Sequence, residues 1–313
     1  MKTLRYELQD GIATLTFDEP DSPVNTMCRS WQDDMTAVTT QILKDQDAIR
    51  GIVLASAKPT FFAGADLKAV LRLQPSDAPA LFAEIELLKK NFRTLETLGK
   101  PIVSCLNGTA LGGGWELALL GHHRLAIDDE KIQFGLPEVT LGLLPGASGV
   151  TKMTRHLGLA AAAPYLLEGK TFTPQEGLRL GLVHELVAPG DTAAAKMRAS
   201  AIAWIDAHPT VQHPWETSGY KVPGGLPSSP AVANWLIMAP ALIKLKTRGA
   251  YPAPEAILAC MVEGLQVDVP TALRIESRYL VKLMTGEVAH DMINAFFAQK
   301  NARKSALTQP DKV

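Results

Sequence analysis

Three consecutive glycines, Gly112 to Gly114, lie between an apolar run, Ile102 to Leu106, and a helix-forming run, Trp115 to Leu120. No other feature constrains the fold so tightly. Glycine enters backbone conformations closed to residues with a Cβ, and it lets a ligand or another segment approach the main chain closely. A strand passing through such a turn into a helix leaves the first helical N–H groups without intrahelical partners, at the positive end of the helix dipole. That suits an anion, or an oxygen about to become one. A second turn of this kind, Phe62-Ala63-Gly64-Ala65-Asp66, follows the apolar run Ile52 to Leu54 and opens a helix that Asp66 is placed to cap. Two strand-to-helix turns, each offering one backbone N–H, meet the requirement of a two-donor oxyanion hole. Glu116 follows the triplet, and Glu138 stands beside Pro137 in a loop-like segment; together they are candidates for an acid/base pair. Taken singly, each feature is more simply a packing turn or a surface carboxylate. Their co-occurrence carries the catalytic reading.

Hydrophobic spacing supplies the rest of the frame. Leu4–Leu8 and Ile12–Phe17 alternate around Asp10-Gly11, a hairpin signal. Residues 28–46 carry a helical stripe through Trp31, Met35, Val38 and Ile42. A longer helix is predicted over about 80–98, stopped by Gly99 and Pro101, and a strand over Arg124–Ile127. Helical patterns follow at 150–167, 174–181 and 191–207, with a strand at Leu182–Val187. Strands alternating with longer helices predict an α/β layered core. A Pro/Gly/Ser-rich stretch, 209–230, marks the best internal boundary, dividing a core of residues 1–208 from a helical extension of residues 209–313. In that extension the helices are expected to be delimited by Pro240, Pro252, Pro254, Pro270 and Gly286, with a frayed polar tail from about Ser305.

Several function classes are disfavoured. A net charge of −1 gives no electrostatic footprint for nucleic acid or an anionic membrane. No apolar run approaches the roughly 20 residues of a membrane span. The start reads directly into a strand without a targeting pattern, and the three cysteines are far apart, so a cytoplasmic setting is expected. No Gly-x-Gly-x-x-Gly fingerprint, complete P-loop or nucleophile elbow occurs. His122 and His123 are adjacent, so on a strand they would point to opposite faces, and no metal is expected.

Phe-Ala-Gly-Ala-Asp-Leu at 62–67, Asn-Gly-x-Ala-Leu-Gly-Gly-Gly-x-Glu-Leu at 107–117 and Gly-Leu-Pro-Glu-Val-x-Leu-Gly-Leu-Leu-Pro-Gly at 135–146 resemble the enoyl-CoA hydratase (crotonase) family. Thr173-Pro174-x-Glu176-Gly177 and Gly181-Leu182-Val183 fit as well. The segments 251–257, 276–279 and 294–297 are similar to the part following the hydratase domain in multifunctional fatty-acid oxidation alpha subunits, so the resemblance extends over nearly the whole chain. It implies a crotonase-like ββα spiral core followed by C-terminal helices, and an acyl-CoA thioester as substrate with no separate cofactor. By position it assigns the oxyanion hole to the N–H groups of Ala65 and Gly113, and the catalytic roles to Glu116 (water activation) and Glu138 (protonation of the α-carbon). Ala63, Gly64, Asp66 and Leu67 match the family's wall for the CoA adenine. Apolar neighbours of Glu138 in sequence (Phe134, Leu136, Val139, Leu141) suit the raised pKa that an acid needs near neutral pH.

Two departures stand out. Trp115 replaces a smaller residue between Gly114 and Glu116, where it either reshapes the acyl pocket or packs behind the helix. Ser148-Gly149-Val150-Thr151-Lys152 replaces Gly-Gly-Thr-Gln-Arg and alters one helix start. Hydration is favoured over isomerisation of a 3-enoyl-CoA, which can run on the Glu138 carboxylate alone, and over a non-catalytic scaffold role. The resemblance further implies a 3-hydroxyacyl-CoA dehydrogenase part that would follow this chain, as if it were the N-terminal piece of a longer protein, and a thiolase subunit as partner.

Overall fold

The computed structural model describes residues 1–308. Strands β1 (Leu4–Gln9) and β2 (Ile12–Phe17) form the expected hairpin, and both turn residues, Asp10 and Gly11, take positive φ. Such a turn carries the right-handed twist of its strands. Helix α1 (Arg29–Asp45) follows, burying Trp31, Met35, Val38 and Ile42, and then β3 (Gly51–Ser56). A short helix α2 (Leu67–Val70) and the long α3 (Ala78–Glu96) lead to β4 (Ile102–Leu106). The glycine turn lies between the short β5 (Ala110–Leu111) and α4 (Gly113–Ala118); β6 (His123–Ile127) and β7 (Phe134–Gly135) come next. After a 3-10 turn at Pro137–Leu141, the chain runs through α5 (Gly149–Leu157), α6 (Leu159–Leu167), β8 (Thr171–Phe172), α7 (Pro174–Arg179), β9 (Glu185–Val187) and α8 (Ala193–Ala207). Helices α9 (Pro230–Thr247), α10 (Pro252–Gly264), α11 (Val269–Met284) and α12 (Glu287–Thr308) complete it.

The main sheet has the order β1-β2-β3-β4-β6-β9, parallel from β2 onward. A smaller sheet, β5-β7-β8, sits beside it, and an isolated bridge from Phe62 to Ala110 extends that second layer. Each rung of the spiral thus contributes one residue stretch to each layer before a helix crosses over. This is the crotonase-like α/β architecture with C-terminal helices. The large aromatics Phe17, Trp31, Phe61, Phe62 and Phe92 interlock in the core, mostly edge to face.

Several expectations need correction. The helix predicted over 150–167 is two helices, broken where Gly158 takes φ +82° and packs against the backbone of Pro223. Pro240 delimits nothing; it lies inside α9, on its exposed side. The strand predicted over 182–187 is reduced to β9. Helix α12 continues to Thr308, into the tail expected to fray; the remainder of that tail lies outside the described residues. His122 and His123 do point apart: His122 stacks on His213, and His123 on His184 and Trp204. Among the described residues no helix is long and apolar enough to cross a membrane.

Candidate active site

The two glycine turns are pressed together, and that contact builds the site. Gly112 adopts φ +57° and ψ −131°, a conformation open to glycine and costly for other residues. Its N–H donates to the Gly135 carbonyl at 2.8 Å, which ties the turn to β7. A Cβ on Gly114 would lie 2.2 Å from the Phe62 carbonyl oxygen, and one on Gly64 3.0 Å from that of Leu111. Glycine is required at these positions because backbone meets backbone. The N–H groups of Ala65 and Gly113 donate to no acceptor among the described residues, and the two turns lie so close that a Cβ on Gly64 would stand 3.7 Å from the Gly113 nitrogen. Two free donors on adjoining turns are therefore brought to one place.

Ala65, Gly113, Glu116 and Glu138 all line a single pocket. Most of its remaining wall is apolar, with Leu81, Ile85 and Leu88 from α3, Leu143 and Leu144 after the 3-10 turn, and Leu280 and Met284 from α11; Gln32 and Glu84 are its further polar residues. Of the residues assigned to the CoA wall, Ala63 is exposed with its N–H bonded to the Asn25 carbonyl at 2.9 Å. Gly64 is buried and its carbonyl accepts from Met27, while Asp66 caps α2 by accepting from the Lys68 N–H at 3.0 Å. Leu67 packs partly buried against the core. These four residues stand beside the pocket and are not part of its lining.

The two carboxyl groups have different surroundings. Oε1 of Glu116 accepts two backbone N–H groups, from Ala147 at 2.7 Å and Gly149 at 2.6 Å. Its Oε2 takes no hydrogen bond from the described residues. Burial, and then the negative charge of Glu276, raise the Glu116 pKa to about 7, against the pull of those two N–H groups. Glu138 is presented by the 3-10 turn, which ends at left-handed Gly142. Its Oε2 is shut off from solvent without a hydrogen-bond partner. Burial, and then the charge of Glu116, hold its pKa well above the usual carboxylate range. A Cβ on Gly112 would come within 2.7 Å of Glu138 Oε1, so the triplet also makes room for this side chain.

Trp115 takes no part in the pocket. Its ring is fully buried, stacked on Phe134 with centroids 5.2 Å apart, and its indole N–H faces Met153 sulfur. It packs behind α4, settling the open alternative. Phe134 belongs to this packing as well, and the apolar wall near Glu138 comes largely from α3 and α11. Sequence reasoning missed that wall and the backbone donors of residues 147 and 149. It also missed Glu276, whose signal was present: an acidic residue within the apolar stripe Leu273, Glu276, Ser277, Leu280 of α11.

An α/β spiral with two free N–H donors and two pKa-raised glutamates in one apolar pocket defines an enzyme of the crotonase type. Residues 7–214 match the enoyl-CoA hydratase/isomerase family, and the chain belongs to it. The fatty acid oxidation complex subunit alpha of Shewanella loihica is 33% identical over 306 residues, covering 96% of this chain. The subunit of the same name from Shewanella sp. MR-4 is 32% identical over 303 residues, covering 95% of it. The chain spans 41% of the length of these curated relatives. Among solved structures, the enoyl-CoA hydratase of Bacillus halodurans superposes with a TM-score of 0.63 at 22% identity, covering 94% of this chain and 100% of that one. That of Bacillus anthracis gives 0.57 at 22% identity, covering 95% and 97%. At this identity the structures establish the fold alone.

Proposed function

We propose that the chain hydrates the 2,3 double bond of a 2-enoyl-CoA to a 3-hydroxyacyl-CoA, as in fatty-acid β-oxidation. Four groups converging on one pocket carry this reading: the free N–H groups of Ala65 and Gly113 and the carboxyls of Glu116 and Glu138. The two N–H groups receive the thioester carbonyl oxygen. As water adds at the β-carbon, the π electrons shift toward that oxygen and negative charge develops on it. A donor preorganised there is worth about 3–4 kcal/mol. Glu116, with one oxygen pinned and the other free, takes the proton of the attacking water. Glu138, held neutral by its surroundings, delivers a proton to the α-carbon. The first carboxyl ends protonated and the second ionised, so a proton returns between them or through solvent before the next turnover. A Glu116 pKa of about 7 keeps both of its states accessible at neutral pH. The exposed backbone at Ala63, with Gly64, Asp66 and Leu67, stands where it would flank the CoA moiety. The step needs acid, base and oxyanion donors, and no cofactor beyond the thioester enters it. The product is what a 3-hydroxyacyl-CoA dehydrogenase part would oxidise before a thiolase subunit cleaves the ketone; the relatives' length and naming support that setting.

The test is loss of enoyl absorbance with crotonyl-CoA and a longer 2-enoyl-CoA, for wild type, Glu116→Gln and Glu138→Gln. Hydration by wild type that both substitutions abolish supports the reading. A folded wild type that is inactive at every chain length sinks it. Dependence on Glu138 alone, with a 3-enoyl-CoA as the better substrate, assigns isomerisation.

A further inference from the structure

The turn that holds Glu116 is itself held by a buried carboxylate from α11. Oε1 of Glu276 accepts the Ser148 N–H at 2.8 Å and Oε2 accepts the Thr151 N–H at 2.9 Å. These donors alternate along the chain with the Ala147 and Gly149 N–H groups that bind Glu116. One short segment thus offers N–H groups to two carboxylates, one on each side. Glu276 is wholly buried and pairs with Lys89 of α3 at 3.0 Å. The Lys89 ammonium also donates to the Leu273 carbonyl at 2.6 Å and the Ser277 hydroxyl at 2.9 Å, so all three of its protons are used. Ser277 in turn donates to Glu86 of α3 at 2.6 Å. Such a satisfied buried network fixes geometry, whereas its net contribution to stability is small or negative. Ser148 takes φ +114°, a strained conformation for a residue with a Cβ, which persists only where the surroundings enforce it.

We propose that Glu276, anchored by Lys89, is a positioning residue for Glu116: it sets the 147–151 turn so that two N–H groups grip one Glu116 oxygen and leave the other facing the pocket. Helix α11 then acts on the reaction twice, since its Leu280 and Met284 also wall the pocket. The charged and titratable groups around Glu276 are Lys89 and Glu86 on α3, Glu116 on α4, Arg155 on α5, Cys260 on α10 and, at longer range, Glu138. Glu276 acts on Glu116 by its negative charge, which favours the protonated carboxyl, and Lys89 opposes it. Removing the Glu276 charge leaves Lys89 unopposed, so both changes drive Glu116 toward ionisation at lower pH.

This inference rests on the hydratase reading for its kinetic arm only. In the whole chain, kcat and KM for a 2-enoyl-CoA are measured for Glu276→Gln, together with the titration of Glu116 by 13C-carboxyl NMR, assigned with Glu116→Gln. The expected result is a loss of about ten- to a hundredfold in kcat with KM within about twofold, as for a catalytic group displaced by a fraction of an ångström to an ångström. The Glu116 titration is expected to move to lower pH. A lower melting temperature with kcat and the Glu116 titration unchanged reduces Glu276 to a packing role and overturns the proposal. If Glu276→Gln does not fold, Glu276→Asp is read instead. It keeps the charge and shortens the reach, so kcat should fall while the titration stays near wild type, and an unchanged kcat overturns the proposal. If wild type hydrates nothing, the functional reading fails, and a crystal structure of Glu276→Gln decides the positioning claim: a 147–151 turn and Glu116 carboxyl left in place overturn it.

Discussion

The Glu116 and Glu138 sides of the pocket solve the same problem in opposite ways. Both carboxyls are buried and both pKa values are raised. Glu116 nevertheless has two N–H groups on one oxygen, and these favour its ionised form and fix its orientation. Glu138 has no hydrogen-bond partner at its inner oxygen, and only its own backbone N–H opposes desolvation of the carboxyl. Hydrogen bonding to the charged form separates a group suited to accept a proton from one suited to donate it. The two surroundings thus differ in their backbone N–H groups, although the side chains are identical, and the proposed division of labour rests on that difference.

The strongest way to break this comparison is to neutralise each side in turn. Glu116→Gln keeps shape and one acceptor oxygen but cannot take a proton, and Glu138→Gln cannot deliver one to carbon. Each is expected to lower kcat by about 10²–10⁴, the usual range for a positioned acid or base. The double variant should be little worse than either single one, because the two act in one step. Multiplicative losses in steady-state kinetics would show that they act in separate steps.

A finer cut moves the carboxyls without changing them. In Gly149→Ala the new Cβ would stand 2.6 Å from Pro145 Cβ and 2.8 Å from Glu116 Oε1, and in Gly112→Ala 2.7 Å from Glu138 Oε1 with a disfavoured φ besides. Both should reduce kcat by about a hundredfold through displacement of the catalytic group. Gly112→Ala should also lower the melting temperature more, since φ +57° strains alanine while Gly149 starts an ordinary helix. Crystal structures of the two variants would show which carboxyl has turned.

The sequence announced the turns and hid the supports. Glycines 64 and 114 were readable because a backbone that meets backbone admits no Cβ, Gly112 because its φ of +57° suits glycine, and Asp66 because a capping residue acts within its own helix. Strands such as Ile102–Leu106 were readable because both faces are buried and the apolar run is unbroken. The break at Gly158 was not, since it depends on Pro223, a residue far along the chain. Pro240 misled because an exposed position in α9 tolerates a proline that the local rule forbids. The apolar wall from α11, and Glu276 beneath Glu116, depend on a helix more than a hundred residues away in sequence. Period and motif report local chemistry, and these are long-range contacts.

The pH dependence sharpens the comparison next. As base, Glu116 must be ionised, so kcat/KM should fall below about pH 7; as acid, Glu138 must be protonated, so activity should fall again above its own raised value. The two limbs belong to the coupled pair. Stability carries the matching sign. A carboxyl whose folded pKa exceeds its unfolded value binds more protons when folded, so its contribution falls as pH rises from about 4.5 through about 7. Glu116→Gln, which cannot ionise, should therefore gain about 3 kcal/mol over wild type at pH 8 and little at pH 4. Melting curves at both pH values test it; an equal effect at each would mean that burial of the charge is not what Glu116 costs the fold.

The smallest expected effect concerns how each side turns its chain. The Glu138 turn ends on Gly142 at φ +71°, where glycine is at ease. The Glu116 turn uses Ser148 at φ +114°, and the buried hydroxyl of that serine has no hydrogen-bond partner among the described residues. Strain of this kind costs about 1–3 kcal/mol and an unsatisfied buried hydroxyl about as much again. Ser148→Gly removes both, against a loss of roughly 0.5–1 kcal/mol from the freer unfolded chain. The net expectation is a gain of at least about 1 kcal/mol, seen as a rise of a few degrees in melting temperature. The N–H that Glu276 accepts is untouched, so kcat should stay within about threefold of wild type if that hydrogen bond is what sets the turn. A glycine variant that is more stable but much slower would mean that the serine's restricted backbone, and not the hydrogen bond alone, keeps Glu116 facing the pocket.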